Sequence, residues 1–127
     1  MITVIKSLLT SEQLGQIGEL IPKVSWQDGK NTAHGSAKSR KQNQQSINSC
    51  EFTKSINNFV IKALHTNTTI KNIITPTNIL QPMINCHQTG DSYGKHIDRP
   101  IRYLQDSNKY FRCDVSCSVF LSDPADY

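Results

Sequence analysis

The stretch that decides the fold class is RCDVSCSVFL, from Arg112 to Leu121. From Cys113 onward every second residue is a cysteine, valine or leucine, and Asp114, Ser116 and Ser118 stand between them. A period of two places successive side chains on opposite faces of a β-strand. We therefore predict a strand from Cys113 to Leu121, with Cys113 and Cys117 on its apolar, buried face.

The other face of this predicted strand is unusually polar for a protein core. Asp114, Ser116 and Ser118 would all point to the same side. This side either meets solvent or lines a polar cavity.

Helical spacing dominates the first half of the chain. Thr10 and Gln13 form a capping-box pattern, which predicts a helix from about Ser11 to Leu20. A second apolar stripe starts at Phe52 and predicts a helix that ends near His65, with Ser49 as its N-cap. Residues 30–46 are almost wholly polar and are predicted to form a loop.

Further strands are predicted from short apolar or alternating runs. They are Val4–Leu9, Met83–His87 and Tyr93–Asp98, and Pro100 ends the last of them. Helices followed by strands indicate an α+β protein with a mainly β core.

Composition excludes several classes of partner. The 127 residues match the length of one ordinary domain. The positive charges are dispersed except at Lys38–Lys41, and a net charge of +4 distributed in this way predicts no nucleic-acid binding. No run approaches the ~18 apolar residues of a membrane span. The N-terminus lacks a signal-peptide pattern, so we predict a cytoplasmic protein without membrane contact and with reduced cysteines.

His96-Ile97-Asp98 is the strongest candidate for a metal site. Residues i and i+2 of a strand face the same way, so His96 and Asp98 can point into one pocket. An imidazole and a carboxylate suit Fe(II), Mn(II) or Zn(II), and a facial triad adds a second, distant histidine. The alternative is a pair of polar residues that face solvent.

A zinc site is the second candidate. Three thiolates and one imidazole would come from Cys86, His87, Cys113 and Cys117. Cys113 and Cys117 lie four residues apart on a predicted strand rather than in a tight loop. Small buried hydrophobic residues are the favoured interpretation of both.

Four motifs follow one another along nearly the whole chain. They are Trp26-Gln27-Asp28-Gly29 with Thr32, Gly35 and Ala37; Gln42-Asn43-Gln44-Gln45; Tyr93-Gly94-Lys95-His96-Ile97-Asp98; and RCDVSCSVFLSDP, from Arg112 to Pro124. In this order they resemble the PKHD-type hydroxylases, bacterial relatives of the prolyl 4-hydroxylase catalytic domain. These belong to the Fe(II)- and 2-oxoglutarate-dependent dioxygenases.

The resemblance implies a double-stranded β-helix, a jelly-roll (cupin-like) barrel with helices packed outside. Residues 1–75 would form the N-terminal helical and strand support. Residues 76–127 would form the first part of the barrel, which stays incomplete in this chain.

The resemblance also implies a chemistry and a set of site residues. His96 and Asp98 would be the first two Fe(II) ligands. The implied enzyme uses dioxygen to decarboxylate 2-oxoglutarate to succinate and hydroxylates a C–H bond of a small-molecule or peptidyl substrate, while L-ascorbate keeps the iron reduced. His87 stands where relatives often carry a tyrosine that contacts the co-substrate, and Tyr93 and Arg112 are candidates for the substrate pocket.

In the family pattern, the second histidine ligand and a basic residue that binds 2-oxoglutarate lie beyond the position matched by Tyr127. We therefore expect this chain to be the N-terminal part of such an enzyme and inactive alone. The alternatives are a non-catalytic barrel remnant that acts as a binding module, and a small domain stabilised by zinc on Cys and His.

Overall fold

The computed structural model describes residues 2–104 and 107–126. The chain divides into two units, one that ends at Gly94 and one that begins at Lys95. Most of the regular structure lies in the first unit, and the described part of the second contains a hairpin followed by chain without helix or strand up to a final 3₁₀ turn.

Helix α1 spans Ser11–Leu20, as the capping box predicts. The backbone N–H of Gln13 donates to Thr10 Oγ1 over 3.2 Å, and the Thr10 N–H donates to Gln13 Oε1 over 2.8 Å. This exchange satisfies two N–H groups that a helix start otherwise leaves without partners. A 3₁₀ turn, Ile21–Lys23, follows with Pro22 in its first turn.

Helix α3 spans Glu51–Thr66 and follows a short helix α2, Ser36–Ser39. The helical prediction is confirmed, but the predicted Ser49 cap is wrong: Cys50 is the N-cap residue and makes no capping hydrogen bond with its side chain. Helix α4, Thr68–Ile73, continues from Asn67, whose Oδ1 accepts from the N–H of Ile70 over 3.0 Å.

The apolar core of the first unit forms around α3. Ile56 is fully buried and Ile17 of α1 is only 2% exposed. Most buried apolar side chains lie on helices rather than strands: Ile17, Ile56, Val60, Ala63, Leu64 and Ile70. Burial of each of the larger of these side chains contributes about 1.5–3 kcal/mol to the stability of the fold.

The strands of the first unit form two small antiparallel sheets. Strands β1 (Trp26–Asp28), β3 (Gln44–Ser46) and β4 (Asn85–Cys86) pair in the order β1-β3-β4. Strand β2 (Lys41–Gln42) pairs with β5 (Ser92–Tyr93), and Lys41 lies opposite Tyr93. These strands therefore bring the middle of the chain alongside residues 85–93.

The loop predicted for residues 30–46 is wrong. This stretch contains the end of a 3₁₀ turn, helix α2 and strands β2 and β3. Lys41, Asn43, Gln45 and Ser46 are all buried. The side chains of Lys41, Asn43 and Gln45 hydrogen-bond to other side chains. Polar groups paired in this way can be buried as apolar ones are, and they leave no hydrophobic period to find.

Among the described residues of the second unit, one regular hairpin is present. Strands β6 (Ile101–Leu104) and β7 (Lys109–Arg112) pair in antiparallel register, from Ile101 opposite Arg112 to Leu104 opposite Lys109. The Tyr103 and Tyr110 rings lie 4.9 Å apart between centroids. A 3₁₀ turn, Pro124–Asp126, ends the described chain.

The predicted strand from Cys113 to Leu121 is wrong in this structure. These residues form neither helix nor strand, and Val115 and Phe120 are 56% and 69% exposed. A strand requires a backbone partner, and none of the described strands pairs with this segment. The alternating residues of this segment therefore do not form a strand.

The other predicted strands are shorter than expected or absent. No strand forms at Val4–Leu9, where Ser7 adopts a left-handed φ of 54° that interrupts an extended run. Only Asn85–Cys86 of the Met83–His87 prediction is a strand, and β5 ends at Tyr93, well before Asp98.

The α+β class is confirmed, with antiparallel sheets throughout the described residues. The predicted mainly β core is wrong: most buried apolar side chains of the described residues lie on helices, because the strands are short and their buried residues, such as Gln45 and Ser46, are polar. Those strands form three separate small sheets and no closed barrel. None of the helices described for this chain has the length and apolarity that a membrane crossing needs.

Candidate functional site

His96 and Asp98 lie together in the second unit although they are not on a strand. His96 Nε2 is 3.3 Å from Asp98 Oδ1, and the two side chains are 27% and 65% exposed. The segment that carries them follows β5 directly and ends at Pro100, before β6. The convergence predicted from the His-x-Asp spacing therefore occurs without the predicted strand.

The two side chains fit one divalent metal ion. A neutral imidazole nitrogen and a carboxylate oxygen are the donors that Fe(II), Mn(II) and Zn(II) accept. Two such ligands at about 2.1 Å from an ion, at a right angle, lie about 3 Å apart. The observed 3.3 Å between His96 Nε2 and Asp98 Oδ1 is close to that separation.

This pair is short of a complete metal centre. Within residues 2–104 and 107–126, no three or more His, Cys, Asp or Glu side chains gather in a way that could hold a metal ion. A facial triad needs one more histidine. His96 and Asp98 therefore remain predicted ligands, and the described residues bring no third candidate ligand to them.

Ser116 completes the local arrangement around Asp98. Its hydroxyl donates to Asp98 Oδ2 over 2.6 Å, across 18 residues of sequence. The carboxylate therefore has one oxygen beside His96 and the other held by a serine. The sequence placed Ser116 on a polar face, but only the folded chain shows which residue it contacts.

Arg112, a candidate for the substrate pocket, ends β7 and is largely exposed. Its Nε lies 2.7 Å from Asp114 Oδ1, and the two side chains are 79% and 63% exposed. An ion pair this exposed contributes about 0–1 kcal/mol to stability. The predicted role of Arg112 in a substrate pocket stays a prediction.

Tyr93, the other substrate-pocket candidate, lies in the first unit. It is half-buried in β5, and Lys41 Nζ lies 5.1 Å from the centre of its ring. Lys41 is 4% exposed and also donates to Thr32 Oγ1 over 3.0 Å. Burial lowers the pKa of Lys41, and the nearby charge of Asp28 opposes this shift in part.

His87, the co-substrate candidate, joins a cluster of amide side chains in the first unit. Asn43 Nδ2 lies 3.1 Å from His87 Nε2 and 3.4 Å from Asn85 Oδ1. Gln45 Nε2 donates to the same Asn85 oxygen over 3.2 Å, and Thr32 Oγ1 donates to Gln45 Oε1. Asn43 and Gln45 of the Gln42–Gln45 motif are thus buried members of a polar network, a role that hydrophobic periodicity cannot reveal.

An open polar groove of about 580 Å³ lies beside this network. Amide, carboxylate and ammonium groups line it: Asp28, Lys30, Gln42, Asn43, Gln44, Gln88 and Asp91, with Thr89 and Gly90. Asp28 Oδ1 and Asp91 Oδ2 already accept backbone N–H groups, from Lys30 and Gln88. These bonds shape the loops that border the groove.

The zinc alternative depends on three of the four cysteines, Cys86, Cys113 and Cys117. Cys50, Cys86, Cys113 and Cys117 are free thiols; Cys113 is half-buried and Cys117 is exposed. The prediction that Cys117 is a small buried residue is therefore wrong. The backbone of Ser25 makes the largest contribution to lowering the pKa of the Cys50 thiol, to about 7.

Comparison with known proteins gives relatives that match the whole chain. Identity over 127 residues is 35% to a protein of Aliarcobacter butzleri, 34% to one of Pseudoalteromonas atlantica and 32% to one of Acinetobacter baumannii. Each is named PKHD-type hydroxylase, so the resemblance drawn from the four motifs is confirmed. The chain spans 56% of the length of each of these relatives. No family model matches the chain.

Proposed function

Because the chain is related over its full length to the PKHD-type hydroxylases, we propose that it provides part of an Fe(II)- and 2-oxoglutarate-dependent dioxygenase. The observation that carries the proposal is the 3.3 Å approach of His96 Nε2 to Asp98 Oδ1 within the Tyr93–Asp98 motif. His96 would bind Fe(II) through its neutral imidazole and Asp98 through Oδ1. The second histidine of the triad would come from outside the described residues.

Bound iron would supply an oxidation in which dioxygen and 2-oxoglutarate give succinate and CO₂ while one oxygen atom is inserted into a substrate C–H bond. The task of His96 and Asp98 is to hold the ion on one side and leave positions open for these molecules. In the complete protein we propose that the described strands belong to a double-stranded β-helix, and that ascorbate keeps the iron reduced.

His87 is proposed to contact the co-substrate. Asn43 Nδ2 lies 3.1 Å from His87 Nε2 and holds the ring beside the amide cluster. An imidazole N–H can donate to a carboxylate, as a tyrosine hydroxyl would. His87→Phe should then raise the 2-oxoglutarate concentration needed for half-maximal binding, whereas His87→Tyr should not.

Tyr93 and Arg112 are proposed to contribute to substrate binding. Arg112 uses Nε toward Asp114, which leaves the terminal guanidinium nitrogens of a largely exposed side chain for a carbonyl or carboxylate group. Tyr93 would supply an aromatic ring and a hydroxyl.

The test follows labelled CO₂ released from 2-oxoglutarate that carries the label at carbon 1. It uses the product of the complete reading frame that contains residues 1–127. The expected result is equal amounts of CO₂ and succinate from the wild type, and loss of both in His96→Ala and Asp98→Ala. His65→Ala, at an exposed histidine of α3, is the matched control and should keep the activity. Turnover that persists in His96→Ala would contradict the proposal, as would a wild type that leaves 2-oxoglutarate intact.

A further inference from the structure

The two oxygens of the Asp98 carboxylate have different partners. Oδ1 lies 3.3 Å from His96 Nε2, and Oδ2 accepts the Ser116 hydroxyl over 2.6 Å. An O–H···O⁻ distance of about 2.5–2.7 Å is the range of charge-assisted hydrogen bonds, which are roughly twice as strong as neutral ones. Ser116 thus binds the oxygen that faces away from His96.

Asp98 has little else to hold it. Its side chain is 65% exposed, and the segment from Lys95 to Pro100 has no regular secondary structure. A terminal carboxylate rotates over a broad range when nothing fixes it. The Ser116 hydrogen bond restricts that rotation and keeps Oδ1 on the side of His96.

We infer that Ser116 is a positioning residue, which makes Asp98 a ligand through Oδ1 alone and arranges the His96–Asp98 pair for a divalent transition-metal ion. The inference rests on the proposed function, because it assumes that this pair binds metal. Hydrogen bonds to a metal-ligating side chain typically change metal affinity 10–100-fold when they are removed.

The experiment is a titration with Co(II), which is stable in air and gives visible absorption when it binds, of the product of the complete reading frame that contains residues 1–127. The binding that counts is the part lost in His96→Ala, since four free cysteines can also take up the ion. Ser116→Ala should weaken this binding by about 10–100-fold. Ser116→Thr, which keeps the hydroxyl, should restore it to within a few-fold of the wild type.

Ser118→Ala is the matched control. Ser118 is exposed like Ser116 and lies two residues further along, but its hydroxyl has no hydrogen-bond partner among the described residues. Its removal should leave Co(II) binding unchanged. Circular dichroism of every variant checks that the fold of the chain is retained.

The outcomes separate the inference from the function on which it rests. Wild-type binding that is lost in His96→Ala but unchanged in Ser116→Ala would overturn the role of Ser116 and leave the metal pair in place. Equal losses in Ser116→Ala and Ser118→Ala would also overturn it, because the effect would not belong to the Asp98 hydrogen bond. A wild type with no Co(II) binding that depends on His96 would overturn both.

Discussion

The ammonium of Lys41 lies 5.1 Å from the centre of the Tyr93 ring, on two strands that pair directly. Lys41 is almost completely buried, and Thr32 Oγ1 accepts from its Nζ. Tyr93 begins the motif that ends in the candidate metal ligands, and its neighbour Gly94 donates its backbone N–H to Arg40 O over 3.0 Å. A buried cation and backbone pairing therefore hold the chain immediately before His96.

The burial of Lys41 should make the stability of the folded chain depend on pH. Burial lowers the pKa of Lys41 in the folded chain below its ordinary value of 10.5, so the unfolded chain binds more protons as the pH rises toward that value. The contribution of Lys41 to the free energy of unfolding must then increase as the pH rises from its lowered pKa in the folded chain toward 10.5. Urea unfolding at several alkaline pH values should show the wild type gaining stability relative to Lys41→Met. A difference that stays constant with pH would show that the ammonium is not desolvated.

Gly29 is a position where a single added methyl group should be costly. An added Cβ would lie 1.9 Å from Asn43 Oδ1 and 2.9 Å from the Asn43 backbone oxygen. We expect Gly29→Ala to lower the free energy of unfolding by about 1–3 kcal/mol. Gly18→Ala is the control: in α1 its Cβ meets nothing within 4 Å, so a gain of about 0.5–1 kcal/mol is expected. Equal effects of the two changes in urea unfolding would contradict the packing described around Gly29.

The capping box of α1 should be measurable in the same way. Thr10→Ala removes the oxygen that accepts the Gln13 N–H, and about 0.5–2 kcal/mol of stability should be lost. Ser11→Ala, at the first residue of the helix, should cost nothing because alanine has the higher helix propensity. Thermal unfolding followed by circular dichroism compares the two, and a Thr10→Ala protein as stable as Ser11→Ala would rule out the cap.

Ile56 tests the position of the core. Its side chain is fully buried on α3, so Ile56→Ala should leave a cavity and cost about 2–5 kcal/mol. Ile73→Ala removes the same atoms from a residue that is 53% exposed on α4, where less than about 0.5 kcal/mol is expected. Chemical denaturation of both variants gives the comparison. Similar losses at the two positions would mean that α3 does not carry the core.

Local signals predicted the helices well. The Thr10 and Gln13 pattern requires only neighbouring residues to form, because each partner lies within one turn of the other. The apolar stripe in the sequence of α3 likewise predicts which face of that helix is buried. The His96-x-Asp98 spacing brought a nitrogen and a carboxylate oxygen to 3.3 Å even without a strand, since residues two apart remain neighbours in any extended chain.

Signals that depend on distant partners were less informative. The alternation from Cys113 to Leu121 is typical of a strand, but a strand forms only when another backbone pairs with it. The sequence of the segment does not indicate which part of the chain would be that partner. The prediction for residues 30–46 was wrong in the opposite sense, because regular structure formed where a loop was predicted. Their polar side chains found partners far along the chain, such as Asn85 and His87, and strands formed where no hydrophobic period was visible.

The sequence by itself determined the two main helices, the α+β class, the family resemblance and the choice of His96 and Asp98, because each rests on residue types at short or fixed spacings. Only the tertiary structure decided that Ser116 holds Asp98 from 18 residues away and that Lys41 is buried against Tyr93. Contacts of this kind depend on where loops and strands bring side chains together, and no local period in the sequence encodes that position.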